Sequence, residues 1–377
     1  MILEDMILDN VKNMPPSGIR KYFDLINEME DVISLGVGEP DFVTPWNVIE
    51  AGIYSLEKGE THYSSNAGFI ELRKEISNYL KRRFNLTYNP EDEILVTVGG
   101  SEGIDLALRA LVGPGDEIII PEPSFVAYKG CATFCGATPV IINLRQEDDF
   151  KLTADLLEKA ITPKTKVVII PFPNNPTGAI MTKEELKEIV EVLKDKDIII
   201  LSDEIYAELS YDKDHYSIAS FEEVKDKTLV INGFSKAYAM TGWRLGYVCG
   251  HPVLIDALKK IHQYALMCSP TTAQFAAIEA LKHGDDSVRE MSREYNRRRR
   301  ILVNGFREMG LECFEPLGAL YVFPCIKSTG LTSDEFCERL LLEENVLAVP
   351  GNAFGECGEG YIRACYASST EDLIEAV

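Results

Sequence analysis

The sequence predicts an α/β fold in which helices cover both faces of a mostly parallel sheet, with a smaller α+β domain beside it. Short apolar segments alternate with helical segments through the middle of the chain, a pattern typical of parallel strands joined by crossover helices. The C-terminal part differs, because long helical segments lead there into short strands. A chain of 377 residues is long enough for two domains.

The predicted elements justify this division in chain order. Through the middle we predict strands at 94–98, 117–121, 138–142, 166–171, 198–203 and 228–234, and helices at 102–111, 125–134 and 183–194. In the C-terminal part we predict helices at 269–283 and 286–309, and strands at 319–325, 346–350 and 361–366. The short apolar strands of the middle part are those expected of a sheet buried on both faces.

The composition excludes several classes of partner. The formal net charge of −22 opposes binding to nucleic acid, whose phosphates it would repel. No apolar run reaches the roughly 18 residues of a membrane span. The N-terminus has neither the basic nor the long apolar region of a signal peptide. We therefore expect a cytoplasmic protein without a membrane or nucleic-acid partner.

Cysteine, histidine and arginine patterns add three expectations. The nine cysteines contain no C-x-x-C pair, which favours free thiols in a reducing compartment over disulfides. The five histidines show no metal-ligand spacing, so no metal site is predicted. The basic cluster Arg297–Arg300 falls in a predicted helix, where we expect a solvated face with ion pairs.

Two strand ends carry the residues most informative about chemistry. Lys236 follows the apolar strand that starts at Thr228, and Asp203 ends the apolar strand that starts at Ile198. A desolvated lysine can attack an aldehyde, whereas most lysines are solvated surface charges. Asp203 could equally be a turn or helix-cap residue. Pyridoxal phosphate chemistry needs both groups: a lysine that holds the cofactor as a Schiff base, and an acid that keeps the ring nitrogen protonated.

A third strand end supplies an amide to the same predicted site. The run Pro171–Gly178 closes the strand at 166–170, and its Asn175 could donate to the phenolic oxygen of the cofactor. On its own the run would be an ordinary turn. With Asn175, Asp203, Tyr206, Lys236 and Arg244 in this order, the chain resembles the class I/II aminotransferases, which are fold type I pyridoxal phosphate enzymes. The resemblance extends from Leu35 to Arg363.

The resemblance implies a seven-stranded sheet in a large domain (46–290) and a small domain built from 1–45 and 291–377. It also implies a cofactor site at the strand ends. The cofactor phosphate would be bound by Gly100, Ser101 and Glu102 (the last two through main-chain donors), Ser235 and Arg244. A glycine-rich turn opening a helix suits this role, and arginine binds phosphate in a bidentate manner. Phe125 would stack on the cofactor ring, and Tyr206 would bond its phenolic oxygen.

Three further residues follow from the resemblance. Tyr63 would reach the cofactor phosphate of the partner subunit, which makes the protein a homodimer with its active site at the interface. Arg363 would clamp the α-carboxylate of the substrate, assisted by Asn175 and the Gly38 backbone. Closure of the small domain over the cofactor would then expel water.

The activity implied is a transamination of amino-acid metabolism, in which an L-amino acid passes its amino group to a 2-oxo acid such as 2-oxoglutarate. The mechanism would be ping-pong, with Lys236 as both anchor and general base, and Asp203 and Tyr206 as the other catalytic groups. Tyr264 stands about where dicarboxylate-specific members of one subgroup carry an arginine. Strict aspartate specificity is therefore not predicted, and aromatic, methionine or N-acylated diamino acid donors stay open. The segment Pro15–Arg20 is expected to line the side-chain pocket.

Two rival interpretations remain at this point. A C–S β-lyase or a synthase that cyclises its substrate, like 1-aminocyclopropane-1-carboxylate synthase, would share the same lysine, aspartate and arginine. A non-catalytic regulator on this fold would carry a DNA-binding module ahead of the Leu35 motif, and we expect none in the 34 residues before it. The acidic charge and the retention of Lys236 also disfavour the regulator.

Overall fold

The structure is a computed structural model that describes residues 3–15 and 31–377. The predicted pocket segment Pro15–Arg20 therefore falls, apart from Pro15, outside the described residues. In the described ranges the α-helices are α1 (Asp9–Lys12), α2 (Trp46–Glu57), α3 (Ile70–Phe84), α4 (Gly99–Leu111), α5 (Ala127–Phe134), α6 (Ala154–Ala160), α7 (Lys183–Leu193), α8 (Glu222–Lys225), α9 (Pro252–Ala265), α10 (Thr271–His283), α11 (Asp285–Glu308), α12 (Ser333–Glu344) and α13 (Thr370–Ala376).

The strands form one large sheet and two small ones. They are β1 (Ile33–Ser34), β2 (Ile94–Thr97), β3 (Glu117–Glu122), β4 (Thr138–Asn143), β5 (Thr165–Ile170), β6 (Ile199–Asp203), β7 (Thr228–Gly233), β8 (Gly246–Cys249), β9 (Tyr321–Val322), β10 (Val346–Leu347), β11 (Val349–Pro350) and β12 (Ile362–Cys365). The large sheet has the order β2-β8-β7-β6-β5-β3-β4, and in it β8 alone runs antiparallel to its neighbours. The predicted seven-stranded, mostly parallel sheet is confirmed.

The central strands of the large sheet are buried on both faces because they are mostly apolar. In β5, Val167 and Ile169 pack into the core on one face, and Val168 and Ile170 pack into the core on the other. This arrangement is the one expected of parallel strands covered by helices. Because β2, β3, β5, β6 and β7 all run in one direction, the residues that follow them gather at a single edge of the sheet.

The C-terminal part has its own small sheets. β9, β12 and β11 form an antiparallel sheet, and β10 pairs in parallel with β1. The segment predicted as one strand at 346–350 is thus divided, because Val346–Leu347 pairs with β1 whereas Val349–Pro350 pairs with β12. Only two residues of the strand predicted at 319–325 pair with β12.

The chain ahead of β1 also touches the large sheet's helices. The Asn10 side chain on α1 donates to the carbonyl oxygens of Thr133 and Phe134 at 3.3 and 3.2 Å. The division into domains at 45 and 290 stays a prediction. Within the described ranges, no helix combines the length and the apolar character needed to cross a membrane.

The arginine cluster corrects one prediction. Arg299 is only 1 % exposed and Arg298 is also buried, so Arg297–Arg300 is not a solvated face throughout. The predicted ion pairs are present. Their carboxylate partners are Asp41 and Glu294 for Arg298, and Asp212 and Glu315 for Arg299. The prediction was wrong because most of the carboxylates that pair with the buried arginines lie in loops elsewhere in the chain. Nothing in the arginine run itself indicates that these partners are present.

Candidate active site

One cavity of about 400 Å³ lies at the edge of the large sheet where the parallel strands end. All the residues predicted for the site line it except Glu102 and Tyr63. They are Gly38, Gly100, Ser101, Phe125, Asn175, Asp203, Tyr206, Ser235, Lys236, Arg244 and Arg363. Most of these residues meet in one pocket because their strands end at the same edge of the large sheet, whereas Gly38 and Arg363 reach it from the small sheets.

Lys236 projects into the pocket just after β7. Its ammonium donates to the Gly38 carbonyl oxygen at 2.6 Å. Burial lowers the pKa of the Lys236 amine to about 8, although Cys365 and Glu39 raise it in part. A much larger fraction of this amine is therefore uncharged near neutral pH than in a solvated lysine, and the uncharged form is the one that reacts with an aldehyde.

Asp203 ends β6 and is held by two donors. The Tyr128 hydroxyl donates to Oδ2 at 2.7 Å, and the Ile205 backbone N–H donates to Oδ1 at 3.2 Å. Burial raises the pKa of Asp203, and the two hydrogen bonds oppose that rise. Tyr128 carried no predicted role, although it lies three residues after Phe125, and the two rings meet edge-on with their centroids 5.7 Å apart.

The turn into α4 forms a cup closed by an arginine. Gly99 has φ +77°, and a Cβ at this position would lie 2.7 Å from Nη2 of Arg244. Arg244 is held by a hydrogen bond from Nη1 to the Thr241 carbonyl oxygen at 3.0 Å. The first N–H groups of α4, from Gly99 to Ser101, have no acceptor within the helix. The cup thus combines free backbone donors, a guanidinium and the helix dipole, which is the donor set that a phosphate needs.

Arg363 lies on β12 and faces Lys236 across the pocket. It is 3 % exposed, and it donates from Nη1 to Oδ1 of Asn175 at 3.0 Å and from Nη2 to the Gly36 carbonyl oxygen at 2.5 Å. Its Nε has no hydrogen-bond partner among the described residues. A buried guanidinium with a donor left over is suited to an incoming carboxylate.

Comparisons with known proteins agree with this geometry. The family model for aminotransferases of class I and II matches residues 30–377. This chain belongs to that family. The protein "Putative aminotransferase YugH" of Bacillus subtilis (strain 168) is 55 % identical over 98 % of this chain and 96 % of its own length. An aspartate aminotransferase of Pyrococcus abyssi is 44 % identical, again over 98 % of this chain and 96 % of its own.

A solved structure extends the likeness to three dimensions. The aromatic aminotransferase of Pyrococcus horikoshii OT3 has a TM-score of 0.90 and 44 % identity, over 94 % of this chain and 96 % of its own. The present chain is thus a pyridoxal phosphate-dependent aminotransferase, as predicted. The pocket fits this cofactor, because a cup for its phosphate, an amine for its aldehyde and a buried carboxylate for its ring nitrogen line one cavity.

Two predicted residues of this aminotransferase lie outside the cavity lining. Glu102 turns its carboxylate away from the pocket, where it accepts the Val98 N–H and contacts Nδ1 of the buried His262 at 2.6 Å. The role predicted for its main chain stays a prediction. Tyr63 is 79 % exposed on a loop and does not line this cavity, so its predicted contact with the cofactor of a partner subunit stays a prediction.

Other chemistry is not apparent in the described part of the chain. It contains no group of three or more histidine, cysteine, aspartate or glutamate side chains that could hold a metal ion. All nine cysteines are free, and burial raises the pKa of several of the thiols, including Cys249 and Cys365. A raised thiol pKa lowers the fraction of reactive thiolate at neutral pH.

Proposed function

We propose that this aminotransferase moves the amino group of an L-amino acid to 2-oxoglutarate by a ping-pong mechanism. One observation carries the proposal: Lys236 and Arg363 both donate to carbonyls of a single short loop, at Gly38 and Gly36. The amine and the carboxylate clamp are thereby anchored two residues apart on the same loop and line the same cavity. That arrangement suits an α-amino acid, whose α-carbon and carboxylate are directly bonded.

The lining residues divide the work of holding the cofactor. When bound, pyridoxal phosphate supplies an aldehyde that condenses with amines and a ring that takes up electrons from the α-carbon. Asp203 would pair with the ring nitrogen, and Asn175 and Tyr206 would bond the phenolic oxygen. Phe125 would stack on the ring. The phosphate would be held by Gly100, Ser101, Ser235 and Arg244, with the main chain of Glu102 and the partner's Tyr63 completing the set.

A second set of lining residues would orient the substrate. Arg363 binds the α-carboxylate, and Asn175 and the Gly38 backbone assist it. Lys236 then takes the α-proton of the donor amino acid, and in the second half-reaction it returns a proton to the α-carbon of the acceptor. An amine whose pKa burial lowers to about 8 can both accept and release a proton near neutral pH.

The donor is not decided by similarity. Relatives at the same 44 % identity are named as an aspartate and as an aromatic aminotransferase. Tyr264, which is highly exposed, takes the approximate place of the arginine expected for strict aspartate specificity. We therefore propose an aspartate aminotransferase-like enzyme whose donor range is not limited to aspartate.

The test is the visible absorbance of the cofactor-loaded protein mixed with single amino acids. We expect aspartate and at least one aromatic amino acid to bleach the cofactor band, and 2-oxoglutarate to restore it. K236A is the control, because it loses both the amine that anchors the cofactor and the proton carrier, so it should show no cycle of bleaching and restoration. A band that decays with release of pyruvate and ammonia, and that no 2-oxo acid restores, would contradict the proposal in favour of a β-lyase.

We further propose a cytoplasmic homodimer with Tyr63 exchanged between subunits. Exposed apolar side chains on α2 support a partner surface at this helix. They include those of Trp46, Ile53, Tyr54 and Leu56. Isolated monomers rarely leave such a group in contact with water. The free thiols support a reducing compartment.

A further inference from the structure

Tyr321 is a pocket residue to which the sequence analysis assigned no role. It lies on β9, is 1 % exposed, and lines the cavity. Its hydroxyl is 2.7 Å from the hydroxyl of Tyr206 and 3.3 Å from the Gly38 carbonyl oxygen. Tyr321 therefore contacts Tyr206, which is the residue proposed to bond the phenolic oxygen of the cofactor.

The ring of Tyr321 has a second neighbour. The Arg363 guanidinium carbon lies 4.4 Å from the ring centroid, within the range of a cation–π contact. The ring also meets the Tyr206 ring edge-on, with centroids 5.9 Å apart. One side chain thus supports the carboxylate clamp through its ring and contacts Tyr206 through its hydroxyl.

The hydroxyl groups of Tyr206 and Tyr321 can each act as donor or acceptor in the bond between them. Each phenol has one proton to donate and lone pairs that accept. Tyr206 can donate to Tyr321 while Tyr321 donates to Gly38, which uses both protons. Once Tyr206 donates its hydrogen bond to another acceptor in the pocket, its oxygen can accept one from a neighbouring hydroxyl that turns its proton away from Gly38. In the described part of the chain, the hydroxyl within hydrogen-bond distance is that of Tyr321.

We propose that Tyr321 is a positioning residue that donates a hydrogen bond to Tyr206 and so strengthens the bond from Tyr206 to the phenolic oxygen of the cofactor. Chains of hydrogen bonds polarise one another, so a donor behind Tyr206 makes Tyr206 the better donor. This inference rests on the proposed role of Tyr206.

Both phenols remain protonated over the working range of pH. Burial raises the pKa of Tyr206 well above its ordinary value and that of Tyr321 to about 12, the latter opposed by the Arg363 charge. Both hydroxyl groups therefore keep their protons and act as hydrogen-bond donors throughout this pH range.

The test is a pH titration of the visible absorbance of the cofactor-loaded protein, for wild type, Y206F, Y321F and the double variant. Donation to the phenolic oxygen stabilises its negative charge and favours the deprotonated form of the chromophore. We expect Y206F to raise the midpoint pH of this absorbance change. We expect Y321F to raise the same midpoint by roughly 0.2–0.4 pH unit. The double variant should match Y206F, because Tyr321 acts through Tyr206.

Two controls separate the hydroxyl from the ring and from general effects of a lost phenol. Y321L removes the ring under Arg363, so it should raise KM for the amino donor, whereas Y321F should leave KM close to wild type. Y211F removes the hydroxyl of another buried tyrosine, which donates to the Ala319 carbonyl oxygen at 2.7 Å outside the cavity. Its midpoint should equal that of wild type.

The outcomes distinguish this inference from the proposed function. A wild-type protein that binds the cofactor without a titrating visible band would overturn both. A Y206F midpoint that moves while the Y321F midpoint does not would overturn only the role of Tyr321. Additive shifts in the double variant would also overturn it, because Tyr321 would then act independently of Tyr206.

Discussion

The amine of Lys236 predicts how cofactor attachment depends on pH. Burial lowers its pKa from the ordinary 10.5 to about 8, and only the uncharged amine attacks an aldehyde. The rate constant for attachment to the cofactor-free protein should therefore rise with pH and level off above about 8. Stopped-flow absorbance after mixing with pyridoxal phosphate measures it. A rate that keeps rising towards pH 10.5, as expected for a solvated lysine, would contradict this prediction.

The bond between Tyr128 and Asp203 predicts a second change at the level of single residues. Burial raises the pKa of Asp203 and the Tyr128 hydroxyl lowers it, so Y128F should raise that pKa further. A carboxylate with a raised pKa is lost at a higher pH, so the acid limb of the activity profile should move upwards. We expect kcat/KM to fall roughly 5–10-fold at neutral pH.

A matched variant checks that this effect is local. Y79F also removes a buried phenol that donates to a carboxylate, in this case to Oε1 of Glu208 at 2.8 Å, outside the cavity. Its acid limb should coincide with that of wild type. Equal shifts in Y128F and Y79F would argue against a specific role for Tyr128.

At the level of elements, the turn into α4 predicts that cofactor affinity depends on a missing side chain. Gly99 has φ +77°, where an L-residue is strained, and a Cβ there would displace Nη2 of Arg244. G99A should raise the Kd for pyridoxal phosphate roughly tenfold or more. Absorbance titration of the cofactor-free protein measures the change. G130A on α5 is the control, because a Cβ there meets open space; similar affinities in the two variants would refute the prediction.

Helix α11 makes a prediction about stability. Arg299 is buried and paired with Asp212 and Glu315, whereas the neighbouring Arg300 side chain is 59 % exposed. R299A should lower the free energy of unfolding by about 2–4 kcal/mol, because it removes a buried network, and R300A by at most about 0.5 kcal/mol. Urea denaturation of the cofactor-free proteins compares them. Equal losses would mean that the run behaves as one solvated face.

At the level of the whole molecule, the exposed Tyr63 predicts that inactive variants complement each other. If Tyr63 serves the partner's site, a mixed dimer of K236A and Y63A subunits contains one intact site. Refolding an equimolar mixture should then restore roughly a quarter of the wild-type activity, because half of the dimers are mixed and each has one working site of two. Each variant refolded alone is the control. No gain on mixing would place Tyr63 in its own subunit or outside the mechanism.

Local pattern was sufficient to predict much of this molecule. Uninterrupted apolar runs predicted strands such as β5 and β6, because a strand buried on both faces needs apolar residues at every position. The chemistry of the strand ends pointed to Lys236, Asp203 and Asn175. Strand β8 was not predicted, since its four residues directly follow the turn at Arg244 and lie antiparallel within a parallel sheet.

The residues that the sequence analysis left without a role share one property, which is that their partners are distant in the chain. Tyr128 meets Asp203, and Tyr321 meets Tyr206, only because α5, the end of β6 and β9 converge on one cavity. Arg299 is buried only because loops from elsewhere supply its carboxylates. None of these contacts leaves a periodic pattern in the sequence.

The sequence by itself determined the fold class, the family and the residue types at the strand ends, because periodicity and short-range turn chemistry are written in neighbouring residues. Only the tertiary structure decided which hydroxyl bonds Asp203, which arginine is buried and which donor of Arg363 is left without a partner in the described chain. Those properties depend on distances between segments far apart in sequence, and such distances are fixed by packing alone.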